Sequence, residues 1–266
     1  MSPTPWQLQL IKRSIKKREK LRLLQKTVTP DAGRSALEVG CAQGILSYFL
    51  RRRGGFWVST DQDWVNLKTS QAILEKNLVQ TGPTLFPFRA GAFDLVTCLD
   101  YLEHVDNDRE CLQEMRRMLK PGGEVILVTP HTGKFFILHK LRTALGMKLE
   151  DFGHKREGYG RGELQSMMEE SGFEVCRTKT YSRFFSEFLE LLLNFIYTRF
   201  FSKRPASALR DGHIRPSTAE EYRDHQKKLR LYSMIYPFIW LVSRLDVFLF
   251  FLQGYSLMIW AKKKPE

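Results

Sequence analysis

The stretch Ala36-Leu37-Glu38-Val39-Gly40-Cys41-Ala42-Gln43-Gly44, taken with Asp61, limits this chain to few folds. An apolar run ends at an acid and a glycine turn, and an apolar helix pattern follows from Ile45 to Leu50. A second apolar run, Phe56 to Thr60, ends at Asp61. Strand, glycine loop, helix, strand and acid in that order describe a nucleoside pocket at the edge of a parallel sheet.

The loop discriminates among nucleosides. A dinucleotide fingerprint needs glycine at positions 40, 42 and 45, where this chain has Gly40, Ala42 and Ile45. Glu38 would also set a carboxylate beside a pyrophosphate, which repels it. S-adenosylmethionine carries a sulfonium and an ammonium instead, and an acid beside the turn attracts both. Asp61 then suits the ribose hydroxyls, because a carboxylate only accepts hydrogen bonds.

Further along, Phe93 to Cys98 reads as a buried strand and Leu99-Asp100-Tyr101-Leu102-Glu103-His104-Val105 follows it. A helix pattern with Leu112, Met115, Met118 and Leu119 on one face is expected to stop at Lys120-Pro121-Gly122-Gly123, before a strand from Glu124 to Thr129. This succession resembles the class I S-adenosylmethionine-dependent methyltransferases of the type 11-like group. Their L-P-F, F-D-L-V, L-E-H-V and L-K-P-G-G elements correspond to Phe86-Pro87-Phe88, Phe93 to Val96, Leu102 to Val105 and Leu119 to Gly123.

The resemblance covers about residues 34 to 180 and extends to a final strand after Gly254. It implies an α/β fold, a Rossmann-like seven-stranded mostly parallel sheet with helices on both faces. It also implies S-adenosyl-L-methionine as cofactor, held by Glu38, Gly40, Cys41, Ala42, Gly44, Asp61, Gln62, Leu99 and Asp100. Two positions depart from the family pattern. The stretch Val79 to Leu85 lacks the acid that usually meets the adenine amino group, leaving Thr81, Thr84 or backbone groups to replace it. Ala42 replaces the middle glycine and adds a methyl near the ligand.

Four expected regions follow: a basic amphipathic N-terminal helix (1–30), the methyltransferase core (31–181), a helical insert (182–253), and the last strand with a basic tail (254–266). The net charge of +13 is high for a small-molecule enzyme, and Lys12, Arg13, Lys16, Lys17, Arg18, Lys20, Arg22 and Lys26 concentrate it near the start. Anionic lipid and nucleic acid both attract such a helix. A stripe that simply covers the sheet is the plain alternative.

The insert favours lipid. It holds two aromatic-rich runs, Phe184 to Tyr197 and Leu231 to Val242 with a continuation at Val247 to Leu252. Glu187 and Glu190 break the first run and Arg244 and Asp246 the second, so neither supplies the ~20 apolar residues of a spanning helix. Membrane-surface contact through 1–26 and 184–252 is therefore expected, against a helical cap or a dimer interface. Nucleic acid is the weaker partner, since the aromatics lie in apolar runs and not on a basic polar face. Pro205 to Lys228 reads as a polar connector.

Cys41, Cys98, Cys111 and Cys176 form no C-x-x-C pair and read as thiols of a reducing compartment. The start lacks a signal-peptide core, so a cytoplasmic location is expected, with peripheral contact at the inner face of a membrane.

His104, His131 and His154 are the candidate catalytic bases, all in stretches expected on the cofactor side of the sheet. His154 and Tyr159 belong to a G-H-x-R-x-G-Y loop that resembles a family lid. Asp100, Glu103 and Asp106 read as helix-start acids, and no metal is expected. The expected function is methylation, at oxygen in preference to carbon or nitrogen, of a hydrophobic or membrane-associated acceptor such as a quinone precursor, lipid or lipid-linked glycan. A soluble small-molecule or RNA methyltransferase and a non-catalytic binding protein on the same fold remain open, as does the oligomeric state.

Overall fold

The structure is a computed structural model that describes residues 5–133, 136–147, 153–196, 209–210, 213–214 and 226–265. Strands β1 (Ser35–Val39), β2 (Phe56–Asp61), β3 (Leu78–Gln80), β4 (Phe93–Leu99), β5 (Leu119–Pro130) and β6 (Phe173–Tyr181) follow in chain order. A short hairpin, β7 (Leu209–Arg210) and β8 (His213–Ile214), lies in the insert, and β9 (Ser256–Lys263) closes the chain. The main sheet has seven strands in the order β3-β2-β1-β4-β5-β9-β6. The first five strands are parallel, and β9 enters antiparallel between β5 and β6.

Helices cover both faces because the central strands are apolar on both. On one face, α5 (Asp108–Met118) and α7 (Arg161–Glu170) bury Leu112, Met115, Leu164 and Met168 against Val96 and Leu127. On the other, α2 (Ile15–Thr27) and α3 (Ile45–Arg51) bring Leu24 and Leu50 against Leu95 and Ile126. Helix α4 (Trp64–Leu74) crosses between β2 and β3. Strand order reverses between β1 and β4, and ligands settle at the carboxyl ends of such a switch point.

Three expectations change. The N-terminal helix is two helices, α1 (Trp6–Ile11) and α2, because the Ser14 hydroxyl accepts the Lys17 N–H and caps a new start. Its apolar stripe is not free for lipid, since Leu8, Ile11, Ile15 and Leu24 are buried on the core. Lys120 to Gly123 does not form a turn outside the sheet. Helix α5 ends at Met118, and β5 begins at Leu119, with the register against β4 slipping between Phe93 and Leu95.

The insert begins with α8 (Phe184–Ile196) and resumes with α9 (Gln226–Ser243), which passes into a 3-10 segment at Arg244–Leu249. Most of the Pro205–Lys228 connector lies outside the described residues. Asp246, expected to interrupt an apolar run, is buried and accepts the N–H groups of Arg183, Phe185 and Ser186 at 3.0, 2.8 and 3.1 Å. It caps α8 from 60 residues away in the chain. Glu187 is likewise internal, bridging Lys16 of α2 and Arg142 of α6 (Ile137–Ala144) at 2.7 Å each.

Candidate active site

The glycine loop after β1 is held by main chain. Gly40 and Cys41 donate their N–H groups to the Thr60 carbonyl, at 3.0 and 2.8 Å. Gly40 and Gly44 have φ of 76° and 77°, so both need glycine. A Cβ on Gly40 would also stand 2.4 Å from the Tyr101 ring. Ala42 adopts φ 45°, so its departure from the family pattern costs backbone strain, a stronger effect than one added methyl.

Asp61 organises this loop. Its Oδ2 accepts the Ala42 N–H at 2.7 Å, and its Oδ1 accepts the Asp63 N–H and the Asn66 amide at 3.0 and 3.1 Å. Burial raises its pKa, and those three donors work against the rise. A carboxylate has about four acceptor sites, so one remains for a ribose hydroxyl. Glu38, expected to face the cofactor's positive charges, lies inward at 1% exposure and accepts the Ser59 hydroxyl at 3.0 Å. Burial pushes its pKa up to about 7, although hydrogen bonds and Arg51 favour the charged form.

Gln62 donates to the Tyr101 hydroxyl at 2.7 Å, and Tyr101 in turn donates to the Pro83 carbonyl at 3.1 Å. Tyr101 thereby ties the Gly40 loop, the end of β2 and the loop after β3 together. The Thr81 hydroxyl is buried in the same quarter with no hydrogen-bond partner, and it is one of the groups expected to replace the third-strand acid.

A second cluster is assembled at the end of β4. Leu99 turns into the core, packed with Leu24 and Tyr181. Asp100, at φ 50°, extends instead to the Lys20 ammonium of α2. Glu103 is fully buried, and neither carboxyl oxygen has a hydrogen-bond partner. Burial, then the nearby Asp100 charge, raises its pKa well above the usual carboxylate range. It stands in the first turn of a short 3-10 helix, Leu102–His104, but is buried there. The His104 ring meets the His154 ring edge-on at 4.7 Å, and its Nδ1 lies 2.8 Å from the Gly153 carbonyl.

Glu103, His104 and His154 each offer a ligand atom, all within 4.8 Å of one another. Two imidazoles and a carboxylate suit a borderline divalent ion such as zinc. Burial, reinforced by His104, pushes the His154 pKa down to about 4, so the ring is neutral near pH 7. That makes it a poor general base and a competent ligand.

His131 does not join them. It is 1% exposed, with Nδ1 against the Gly254 carbonyl at 2.8 Å and its ring against Phe136. It pins the end of β5 to the entry of β9. Tyr159, in the same lid-like loop as His154, is buried and donates toward Leu102 and Asp108, beneath the Arg156 guanidinium.

Residues 37–127 match a family model described as a methyltransferase domain. Over that stretch the chain is similar to the methyltransferase-domain family, in line with the class I S-adenosylmethionine-dependent resemblance of its motifs. Over 106 residues it is 35% identical to the ubiquinone biosynthesis O-methyltransferase of Psychrobacter cryohalolentis, covering 37% of this chain and 41% of that protein. The Cronobacter sakazakii protein of the same name is 36% identical over 103 residues, 36% of this chain and 42% of its own. The chain spans less than half the length of these curated relatives.

Solved structures share the fold over most of the chain. A SAM-dependent methyltransferase from Archaeoglobus fulgidus gives a TM-score of 0.56 at 16% identity, covering 92% of this chain and 94% of its own. The cyclase SpnF gives 0.60 at 17% identity, covering 94% and 82%. The fold is thus shared with a protein named for a different reaction, and the chemistry has to be argued from the site.

In a class I methyltransferase the methyl donor is S-adenosylmethionine. The loop from Gly40 to Gly44, with Asp61, Gln62 and Thr81, has the donors and acceptors to hold its adenosine half. Reading the sequence did not single out Lys20 or Tyr101, which the structure brings to this candidate site, and took Glu103 for a helix-start acid. Lys20 is hidden in a run of eight basic residues, and nothing local marks it as turned inward.

Proposed function

We propose that this protein transfers the methyl group of S-adenosylmethionine to a hydroxyl oxygen of a hydrophobic acceptor with quinone-precursor chemistry. The observation that carries the reading is the meeting of two sites at the carboxyl ends of β1 and β4. One is a loop organised by Asp61; the other is the unpaired Glu103 with the two imidazoles. The named O-methyltransferase relatives support oxygen as the acceptor atom.

The transfer is an in-line displacement: an O–CH3 bond forms, the C–S bond breaks, and S-adenosylhomocysteine leaves as a neutral thioether. The hydroxyl proton goes to water or to a neutral imidazole. Holding the oxygen in line with the C–S bond supplies much of the acceleration. With a pKa of about 4, His154 removes little of the barrier as a base. A divalent ion on Glu103, His104 and His154 would lower the acceptor hydroxyl's pKa directly. In this reading the protein works in the cytoplasm, and the insert 184–252 is the part that meets a membrane surface.

Calorimetric titration with S-adenosylmethionine tests the donor half. Saturable binding by the intact protein that Asp61→Ala abolishes is the expected result. Absence of binding by the intact protein would remove the enzyme reading. Titrating chelator-treated protein with zinc or magnesium tests the acceptor half, where Glu103→Gln is expected to abolish any binding seen.

A further inference from the structure

We infer that the cap formed by α6, α8, α9 and the 3-10 segment rests in the plane of an anionic bilayer, and that the acceptor is drawn from the lipid phase past these helices. This rests on the acceptor being hydrophobic, as proposed above, and it names the phase that supplies it.

Each cap helix has an unpartnered apolar stripe at helical spacing. Ile137, Leu141 and Leu145 are exposed along α6 and its C-cap, and Phe184, Phe188 and Leu192 along α8. Beyond them Phe238, Phe248, Phe250 and Phe251 are between 68 and 77% exposed. Those four rings alone present roughly 500 Å² of apolar surface, as much as the whole largest patch of an ordinary monomer. The helices adjoin one another, since α8 packs on α6, on α9 and on the 3-10 segment.

The charges around this face match anionic headgroups. Among the described side chains from Tyr232 to Leu252 the only carboxylate is Asp246, which is buried, while Arg244 is basic and exposed. Helix α2, tied to α9 by the Arg18–Tyr236 hydrogen bond, exposes Arg22 and Lys26 beside Arg18. Apolar rings bounded by Lys and Arg without exposed acids are the composition of an interfacial helix.

The segment lies along the membrane and does not cross it. Tyr232–Leu249 is long and apolar enough to span by length and composition. Yet both of its ends are fastened to the domain. Tyr232 donates to the Arg13 carbonyl at 2.9 Å, and Asp246 holds the first turn of α8.

The inner faces of the same helices wall the acceptor side. Glu187 of α8 joins Arg142 of α6 to Lys16 of α2, and both cations lie near enough to His154 to depress its pKa. A bilayer-dissolved acceptor therefore has one helix layer, about 10 Å, to pass.

The test sediments the full-length protein with phosphatidylcholine vesicles, with and without phosphatidylglycerol. The intact protein is expected to pellet with the anionic vesicles. The triple variant Phe238→Glu, Phe248→Glu, Phe251→Glu is expected to bind them at least about tenfold more weakly. Trp240 fluorescence, isolated by comparison with Trp240→Phe, is expected to be quenched by lipids brominated on their acyl chains. Three results would overturn the inference: no vesicle binding, equal binding by the triple variant, or a dimer in solution that the triple variant dissolves. S-adenosylmethionine titration of both proteins reads the other reading separately. Vesicle binding without cofactor binding removes the enzyme and leaves the surface, and the reverse removes only the surface.

Discussion

The donor loop and the cap are held together by opposite means. Around Gly40 the structure is made by main chain over a short stretch, with left-handed residues at 40, 42 and 44 and one carboxylate 21 residues further on. The cap is made by side chains that reach across the molecule: Glu187 to Lys16 and Arg142, Asp246 to the start of α8. A site built locally admits few residue types at each position. One built from distant ion pairs looks, in the sequence, like scattered surface charge.

The sharpest way to break that contrast is at Gly40. Alanine there meets the Tyr101 ring and adopts a φ that disfavours a Cβ. Displacing Tyr101 also releases Gln62 and the loop after β3. Affinity for S-adenosylmethionine is expected to fall on the order of 100-fold, as for about 1 Å of misplacement in a positioned site. Vesicle binding should not change, and parallel titration and sedimentation of Gly40→Ala check both halves.

Next comes Glu187→Gln, the matching blow to the cap. Burial opposes the Glu187 charge, but Lys16 and Arg142 outweigh it and hold its pKa below the ordinary value. Removing the charge leaves two cations facing each other, at a cost of about 3 kcal/mol. Hydrogen exchange is expected to show α8 opening roughly 100-fold more often. Protection in β1 and β4 and the affinity for S-adenosylmethionine should stay as they were. Uniform loss of protection would mean that cap and core are one cooperative unit, and the contrast would fail.

These differences decide what could be read in advance. The sheet, the glycine loop and the place of Asp61 at the end of β2 were legible because each depends on near neighbours and on short continuous apolar runs. Glu187, Asp246 and Lys20 were not, because an isolated charge in an apolar run carries no sign of its partner. The first two were taken as breaks in a membrane-facing run, and burial with a distant partner is what they do instead. His131 failed differently. Its place after β5 pointed to the ligand side, yet two residues of packing against Phe136 and Gly254 turned it into the core.

Glu38 sharpens the donor side through pH. Its folded pKa is about 7, above the ordinary 4.5, so the native state keeps a proton that the unfolded chain releases. The contribution to stability is therefore intact below pH 4.5, declines as pH rises through that window, and is fully lost above 7. Glu38→Gln should leave stability unchanged near pH 4 and raise it by about 3 kcal/mol at pH 8. Denaturant unfolding at the two pH values reads the difference. A variant that is weaker at pH 8 would mean that the charged form is needed in place, as a contact for the cofactor's positive groups would require.

The smallest expected effect separates strain from function at Ala42. Its left-handed backbone costs about 1 kcal/mol relative to glycine, which has no Cβ to clash. Glycine, however, gains freedom in the unfolded chain worth about 0.4–1 kcal/mol, so the two terms nearly cancel. Ala42→Gly should therefore stabilise the protein by no more than about 0.5 kcal/mol. Since the Ala42 N–H already points at Asp61, the substitution leaves that hydrogen bond in place, and cofactor affinity should change by less than about threefold. A larger gain in affinity would mean that the alanine methyl stands in the adenosine's way. A loss would mean that the strained alanine preorganises the loop, so that this half too depends on one side chain and not on main chain alone.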